Sequence, residues 1–340
     1  MALLRSLVAA AIFALSAAAP AASQEAMADF YRGKTVTLVI GTGPGGAYDI
    51  HGRLLARHLA QHIPGAPKLV VQNIPGAGSV QAANYVFNIA PQDGTVLGNI
   101  LNTLPIVQLL GLVKTQFDVA RFQWIGNMTE ELYVLVAWHS AKAANLEEAK
   151  RTEILIGSTS PGSLGSMFPK ISNLVLSTRF RVVTGYNDAV EIDHAMELGE
   201  VDGRSGETWY GDKGVYGAWY RDGKIRILLQ FGPHKAADLP EVPLFSDLAA
   251  AADARRIAEL FTSPSIIGKP TVVGPRVPPA QVAALRKAYD ETMRDPEFRA
   301  DAARLGVALE PVSGPDLASL IAKLAATPEP LLATVRKAVE

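Results

Sequence analysis

The chain has 340 residues, a formal net charge of -1 and 0 cysteines. With 49% hydrophobic and 19% charged residues it is globular rather than disordered, and the near-neutral balance excludes an electrostatic grip on nucleic acid. The missing cysteines exclude disulfides, thiolate metal sites, cysteine nucleophiles and a lipoprotein anchor, and the length predicts two domains.

In chain order, Arg5 precedes the apolar run Leu7 to Ala19, which has signal-peptide length and falls short of the roughly 20 residues of a membrane span. Ala19-Pro20-Ala21 and Ala21-Ala22-Ser23 offer small residues for cleavage. Residues 1–23 therefore read as a signal peptide cut near Ala21 to Gln24, and the mature protein is expected in the periplasm. Val36 to Ile40 is a β-branched run that reads as a buried strand. Gly41 to Gly46 is a glycine-rich turn, and from Tyr48 the spacing of Ile50, Leu54, Leu55 and Leu59 is helical. The same unit recurs. Lys68 to Gln72 is a strand, Asn73 to Ser79 a second glycine turn, and a helix follows through Asn88. Strand Thr95 to Ile100 and a short helix, Leu104 to Leu110, come next. This alternation predicts a mostly parallel, doubly wound α/β sheet.

Strands Phe122 to Gly126 and Tyr133 to Trp138 bracket a crossing to a second domain. Asn145 with Glu148 forms a capping-box pattern. Strand Glu153 to Gly157 runs into a third small-residue turn, Ser158 to Ser163, and a helix to about Leu176. Strand Phe180 to Val183 ends at Thr184-Gly185-Tyr186-Asn187; a helix through Leu198 and a short strand, Val201 to Arg204, follow. Trp209 to Tyr220 carries no clear pattern, whereas Lys224 to Phe231 is a strand. Helix Ala249 to Phe261 and strand Thr271 to Gly274 lead back to the first domain. Helices then start at Pro278-Pro279, Pro296, Pro315 and Pro330, with proline in its favoured first turn.

Turns with bare N–H groups at strand ends and helix starts suit an anion. Three such turns, at Gly43–Ala47, Gly76–Ser79 and Ser158–Ser163, lie where open parallel sheets bind ligands. Gly41-Thr42-Gly43-Pro44-Gly45-Gly46 also matches the dinucleotide pattern G-x-G-x-x-G, but Asn73 stands where a ribose-binding carboxylate belongs. A nucleotide-cofactor oxidoreductase is thus the enzymatic alternative, and no cofactor is expected. Asp49 either caps its helix or bonds a ligand. His58 and His62 lie four apart without the acid of an H-E-x-x-H site, so no metal is expected. Asp188, Glu191 and Asp193 read as a charged helix flank, and Ser158, Ser160 and Ser163 lack the nucleophile elbow. Arg204 either forks onto a ligand carboxylate or pairs with Glu207. Tyr48, Tyr186 and Trp209 either wall a pocket or pack.

Taken together, Phe30-Tyr31-Arg32-Gly33-Lys34, Pro44-Gly45-Gly46-Ala47-Tyr48-Asp49 and Asn73-Ile74-Pro75-Gly76-Ala77-Gly78-Ser79 resemble the periplasmic substrate-binding proteins of tripartite tricarboxylate transporters, the Bug or TctC-like family. Ala90-Pro91-Gln92-Asp93-Gly94-Thr95, Gly199-Glu200-Val201-Asp202 and Asp238-Leu239-Pro240-Glu241-Val242-Pro243 extend the likeness over essentially the whole chain. The resemblance implies a type II-like two-domain clamshell. Residues 24–131 with 268–340 would form one domain and 132–267 the other, with crossings near 127–132 and 262–270. It implies a receptor that delivers a mono-, di- or tricarboxylate to the large and small subunits of a membrane permease. Such a receptor has no catalytic residue; an exported sensor or adaptor is the alternative.

By position, the carboxylate would meet Gly45, Gly46, Ala47, Tyr48, Asp49, Ala77, Gly78 and Ser79 in one lobe. In the other it would meet Thr159, Ser160, Gly162 and Ser163, with Gly185, Tyr186 and Arg204 nearby. Gly46→Val is expected to abolish binding. The chain departs from the family's pattern at Gly41-Thr42-Gly43, Thr184-Gly185-Tyr186-Asn187 and Gly203-Arg204-Ser205-Gly206-Glu207, which leaves the ligand's identity open.

Overall fold

A computed structural model describes residues 24–209 and 214–340. The signal-peptide expectation, and Tyr210 beside Trp209, lie outside the described residues. Among the described residues, eleven strands form two sheets. One takes β1 (Thr35–Ile40), β2 (Lys68–Asn73), β3 (Val96–Asn99), β4 (Gln123–Asn127), β10 (Pro270–Val273) and β11 (Val312–Ser313) in the order β11-β4-β10-β3-β1-β2. The other takes β5 (Tyr133–Trp138), β6 (Ile154–Ser158), β7 (Phe180–Thr184), β8 (Gly203–Thr208) and β9 (Ile225–Phe231) in the order β7-β6-β8-β5-β9.

The two-sheet α/β architecture matches expectation, but the sheets are mixed. β1 pairs in parallel with β2 and β3, and β6 with β7 and β8. β10 runs antiparallel to β3 and β4, and β5 runs antiparallel to β8 and β9. The reason is topological. A segment arriving from the other sheet enters without a βα crossover, so nothing forces it to run parallel. The parallel part of each sheet is where strands end in small-residue turns.

β1 shows how period-two alternation builds the core. Val36, Leu38 and Ile40 face Leu54, Leu55 and Leu59 of the helix Ala47–His62, while Val39 faces the opposite layer with Val86 and Val96. Each of those three leucines is 0% exposed, a burial that stabilises by about 1.5–3 kcal/mol per side chain. β5 divides in the same way, with Leu135 and Ala137 on one face and Val134 and Val136 on the other.

Two helices depart from the expected pattern. The helix Ala252–Ile267 outruns the predicted end at Phe261 and carries Pro264 inside it. Proline cannot donate to the Leu260 carbonyl. The Ser263 hydroxyl does so instead at 2.7 Å, which lets the helix continue into the segment that returns to the first sheet. The helix that starts at Val80 widens into a π-turn over Tyr85–Ile89. The last helix, Glu329–Val339, packs on the helix Leu164–Leu176 of the second sheet, where Lys170 donates to the Val339 carbonyl at 2.5 Å. Among the described residues, no helix is long and apolar enough to cross a membrane.

Candidate functional site

The turn after β1 is held from within its own lobe. Asp49 sits at the helix start and is buried. Its Oδ2 accepts from the Gly45 N–H at 3.0 Å and from Arg53 Nε at 2.9 Å, and its Oδ1 accepts from Asn73 Nδ2 at 2.9 Å. Asn73 also donates to the Thr42 carbonyl at 2.9 Å. The Arg53 bond, helped by the Gly45 and Asn73 donors, pulls the Asp49 carboxyl down to about 2 against burial. Asn73 therefore ties two turns together at the position where a dinucleotide site needs an acid. Gly41 is required by packing, since a Cβ there would lie 1.7 Å from Ser79 Oγ.

The turn after β2 is backbone-strained. Gly76, Ala77, Gly78 and Ser79 have φ of 137°, 47°, 61° and 71°, a left-handed run that includes two residues with side chains. Ser79 is buried, and its Oγ accepts from the Leu101 N–H at 3.3 Å, so it is a structural post between this turn and the end of β3.

In the second sheet, the turn after β6 leads into the helix Leu164–Leu176. Ser163 is its N-cap residue, but its hydroxyl donates to the Ser160 carbonyl at 2.8 Å and lies 2.8 Å from Ser158 Oγ, so no side chain caps the helix. The uncapped first-turn N–H groups and the positive end of the helix dipole face the turn.

Beside it, β8 carries a β-bulge. Val134 pairs with Glu207 and Leu135 with Ser205, so Gly206, at φ +81°, is left over. On a regular strand, residues three apart point to opposite faces. The bulge returns Glu207 to the face of Arg204, and the two form a partly buried ion pair through Nη2 and Oε1. Arg204 Nη1 donates to Asp193 Oδ1 at 2.9 Å and to the Ala189 carbonyl at 2.7 Å. Of the two readings of Arg204, internal pairing with Glu207 is the one present.

These elements enclose a cavity of about 430 Å³ between the sheets. Of the residues expected to meet the ligand, Gly78, Thr159, Ser160, Gly162, Ser163 and Arg204 line it. Gly45, Gly46, Tyr48, Asp49, Ala77, Ser79, Gly185 and Tyr186 are not among its walls. Ala47 instead lines a second groove of about 560 Å³, with Glu131, Trp209 and Lys269. The Tyr48 hydroxyl donates to the Gly268 carbonyl at 2.9 Å and accepts from the Asn102 N–H at 3.0 Å, so it braces a crossing segment. His58 and His62 each meet an aspartate, Asp301 at 2.9 Å and Asp295 at 2.8 Å, and dock one helix on another. No cluster able to hold a metal occurs among the described residues.

Sequence reasoning missed Asn102 and Tyr133 as cavity walls. Both were legible by place, because Asn102 follows the C-terminal end of β3 and Tyr133 opens β5 at the same edge. They are joined by an Asn102 Nδ2 to Tyr133 Oη bond of 2.7 Å. The Tyr133 hydroxyl donates in turn to Glu131, which forms a buried ion pair with Lys269. Glu131 and Lys269 stand on the two segments that pass between the sheets, so this network clamps the crossings together.

No family model matches the chain. A protein of Cupriavidus necator, the UPF0065 protein in gbd 5'region, is 28% identical over 304 residues, covering 87% of this chain and 85% of that one. A TctC solute-binding protein from Polaromonas superposes with a TM-score of 0.67 at 18% identity, over 91% of this chain and 99% of that one. This chain has the TctC-type fold. MatC from Rhodopseudomonas palustris, with bound malate, aligns with a TM-score of 0.60 at 19% identity, over 90% of this chain and 99% of MatC. The resemblance carried by the P-G-G and N-x-P-G-A-G turns thus extends to the architecture of the whole molecule.

Proposed function

We propose that the protein is an exported solute-binding receptor that captures a small organic carboxylate in the 430 Å³ cavity and delivers it to a tripartite-type membrane permease. Its carrying observation is that one cavity is walled by turns from both sheets, Gly78 from one and Thr159 to Ser163 from the other. Backbone N–H groups and an uncapped helix start provide anion affinity there. The lobes divide as 24–131 with 268–340 against 132–267, the crossings lie near 127–132 and 262–270, and the final helix bridges the two. Closure of the lobes would seal the ligand from water. MatC with bound malate supports the carboxylate class, and the apolar segment Leu7 to Ala19 supports export to the periplasm.

Titration calorimetry with mono-, di- and tricarboxylates tests the reading; a protein that binds only neutral sugars or peptides would reject it. Gly162 lines the cavity, and a Cβ there meets nothing within 4 Å. Gly162→Phe should therefore weaken the best carboxylate at least tenfold, about 1.4 kcal/mol, with an unchanged Tm. Unaltered affinity in that variant would place the ligand elsewhere.

A further inference from the structure

We propose that the groove of about 560 Å³ beside the crossing segments is a second ligand site, for an aliphatic amino alcohol whose hydroxyl meets His51 and whose ammonium group meets Glu130 and Glu310. The groove shares no lining residue with the 430 Å³ cavity and does not depend on the carboxylate reading. Segments of both sheets wall it. Ala47, Ile50 and His51 belong to the helix that follows β1, Thr208 ends β8, and Glu131 and Lys269 lie on the two crossings. Its volume falls within the roughly 300–1,000 Å³ of small-molecule sites.

The first requirement is a donor. His51 lines the groove, is 8% exposed, and has its Nδ1 2.6 Å from the Ala47 carbonyl. A carbonyl oxygen only accepts, so Nδ1 carries the proton. Burial, with Lys269 adding to it, pushes the imidazole down to about 4, so the ring is neutral at pH 7 and Nε2 is a bare acceptor. Among the described residues nothing donates to it. The other buried side chains of the wall are already engaged. The Thr129 hydroxyl donates to the Glu130 carbonyl at 2.9 Å, and Trp209 Nε1 donates to Asp238 at 3.1 Å. The two Glu131 oxygens accept from Tyr133 and Lys269. His51 Nε2 is left over.

The second requirement is a cation. The Glu131–Lys269 pair cancels, which leaves Glu130, Glu310 and Lys235. Lys235 Nζ donates to the Pro240 carbonyl at 3.1 Å, outside the groove. Among the described residues the Glu130 carboxylate accepts no hydrogen bond, and its ion-pair contact is the exposed His234, with Nε2 3.8 Å from Oε2. Burial pushes the Glu130 carboxyl above its ordinary range, with His234 opposing the push and Glu310 adding to it, so a cation there relieves both carboxylates. The two ends call for different donors. Lys269 lowers the proton affinity of His51 more than Glu131 raises it, so a charged donor is disfavoured at Nε2 and a hydroxyl suits it. In the same groove Ile50 and Leu305, 41% and 49% exposed, offer apolar surface to a methylene chain.

The experiment sets ω-amino alcohols of three to six carbons beside the alkylamine and the alkanediol of the same length. In titration calorimetry on the mature protein, the tightest amino alcohol should exceed both of its partners at least tenfold. Glu130→Gln should cut the advantage over the diol to threefold or less, and His51→Phe the advantage over the alkylamine. Gly162→Phe, in the wall of the 430 Å³ cavity, should leave amino alcohol affinity within twofold. A smaller wild-type advantage over either partner, no binding by any amino alcohol, or loss of binding in Gly162→Phe would overturn the assignment. Carboxylate titrations are run separately, so the receptor reading stands or falls on its own result. The wild-type ratios decide the matter even if His51→Phe folds poorly.

Discussion

The turn after β1 and the wall made by β6 and β8 began as equivalent expectations, both small-residue loops at the end of a parallel strand. They differ in how their charged side chains are satisfied. In the first, Asp49 accepts from Gly45, Arg53 and Asn73. In the second, Arg204 Nε and Ser205 Oγ are left without partners; the first leaves the Thr42 hydroxyl so, and in neither does a side chain cap the following helix. A turn whose carboxylate is saturated from within its own lobe acts as a structural joint; a strand wall that leaves a buried guanidinium N–H unpaired has a place for an acceptor. Glycine content alone cannot separate these cases.

The sharpest way to break the comparison is Arg204→Leu. It would leave Asp193 and Glu207 facing one another without the guanidinium between them. Removing one partner of a buried pair costs roughly 3–5 kcal/mol, and because both carboxylates retain some solvent contact the lower end, about 3 kcal/mol, is expected in urea denaturation. A loss below about 1 kcal/mol would mean that the β8 wall is not organised around this charge.

Asp49→Asn probes the other side. Folded Asp49 has a pKa of about 2 against its ordinary 3.8, chiefly through Arg53. The folded state therefore binds that proton less readily than the unfolded chain. The contribution is complete above about pH 4 and disappears as pH falls through 2. Arg53 is 49% exposed, so solvent screens the pair, and about 1 kcal/mol is expected rather than the full linkage value. Wild type and Asp49→Asn should differ by that amount at pH 7 and converge near pH 2. A gap that persists in acid would show that the carboxylate's charge is not what holds the turn.

Much of the frame was legible because it depends on period and punctuation. β5 lies over Tyr133–Trp138, as its apolar run predicts, and Pro279 and Pro296 open helices in the first turn. What stayed hidden depends on long-range geometry. The bulge at Gly206, which decides that Arg204 and Glu207 share a face, appears only when β8 is set against β5. The bond from Tyr48 to Gly268 spans 220 residues, so its spacing in the sequence could not show that this aromatic braces a segment running between the sheets. The P-G-G turn lies away from the 430 Å³ cavity for a related reason. Its sequence shows that N–H groups are available, not which cavity they face.

Gly46→Val draws the finest line between the two regions. From sequence it was expected to abolish binding. In the structure Gly46 has φ −80° and ψ 173°, an extended conformation that suits a β-branched residue, and a Cβ there meets nothing within 4 Å. It does not line the 430 Å³ cavity. The variant should therefore change stability by less than about 0.5 kcal/mol, as surface substitutions usually do, and affinity by less than about threefold. Gly162→Phe, at the wall where the ligand is proposed to sit, should far exceed it. If Gly46→Val proves the more damaging of the two, the lobes must close far enough to bring the β1 turn onto the ligand. The saturated Asp49 would then act by holding that turn rigid for closure, and the division between joint and wall would belong to the open form alone.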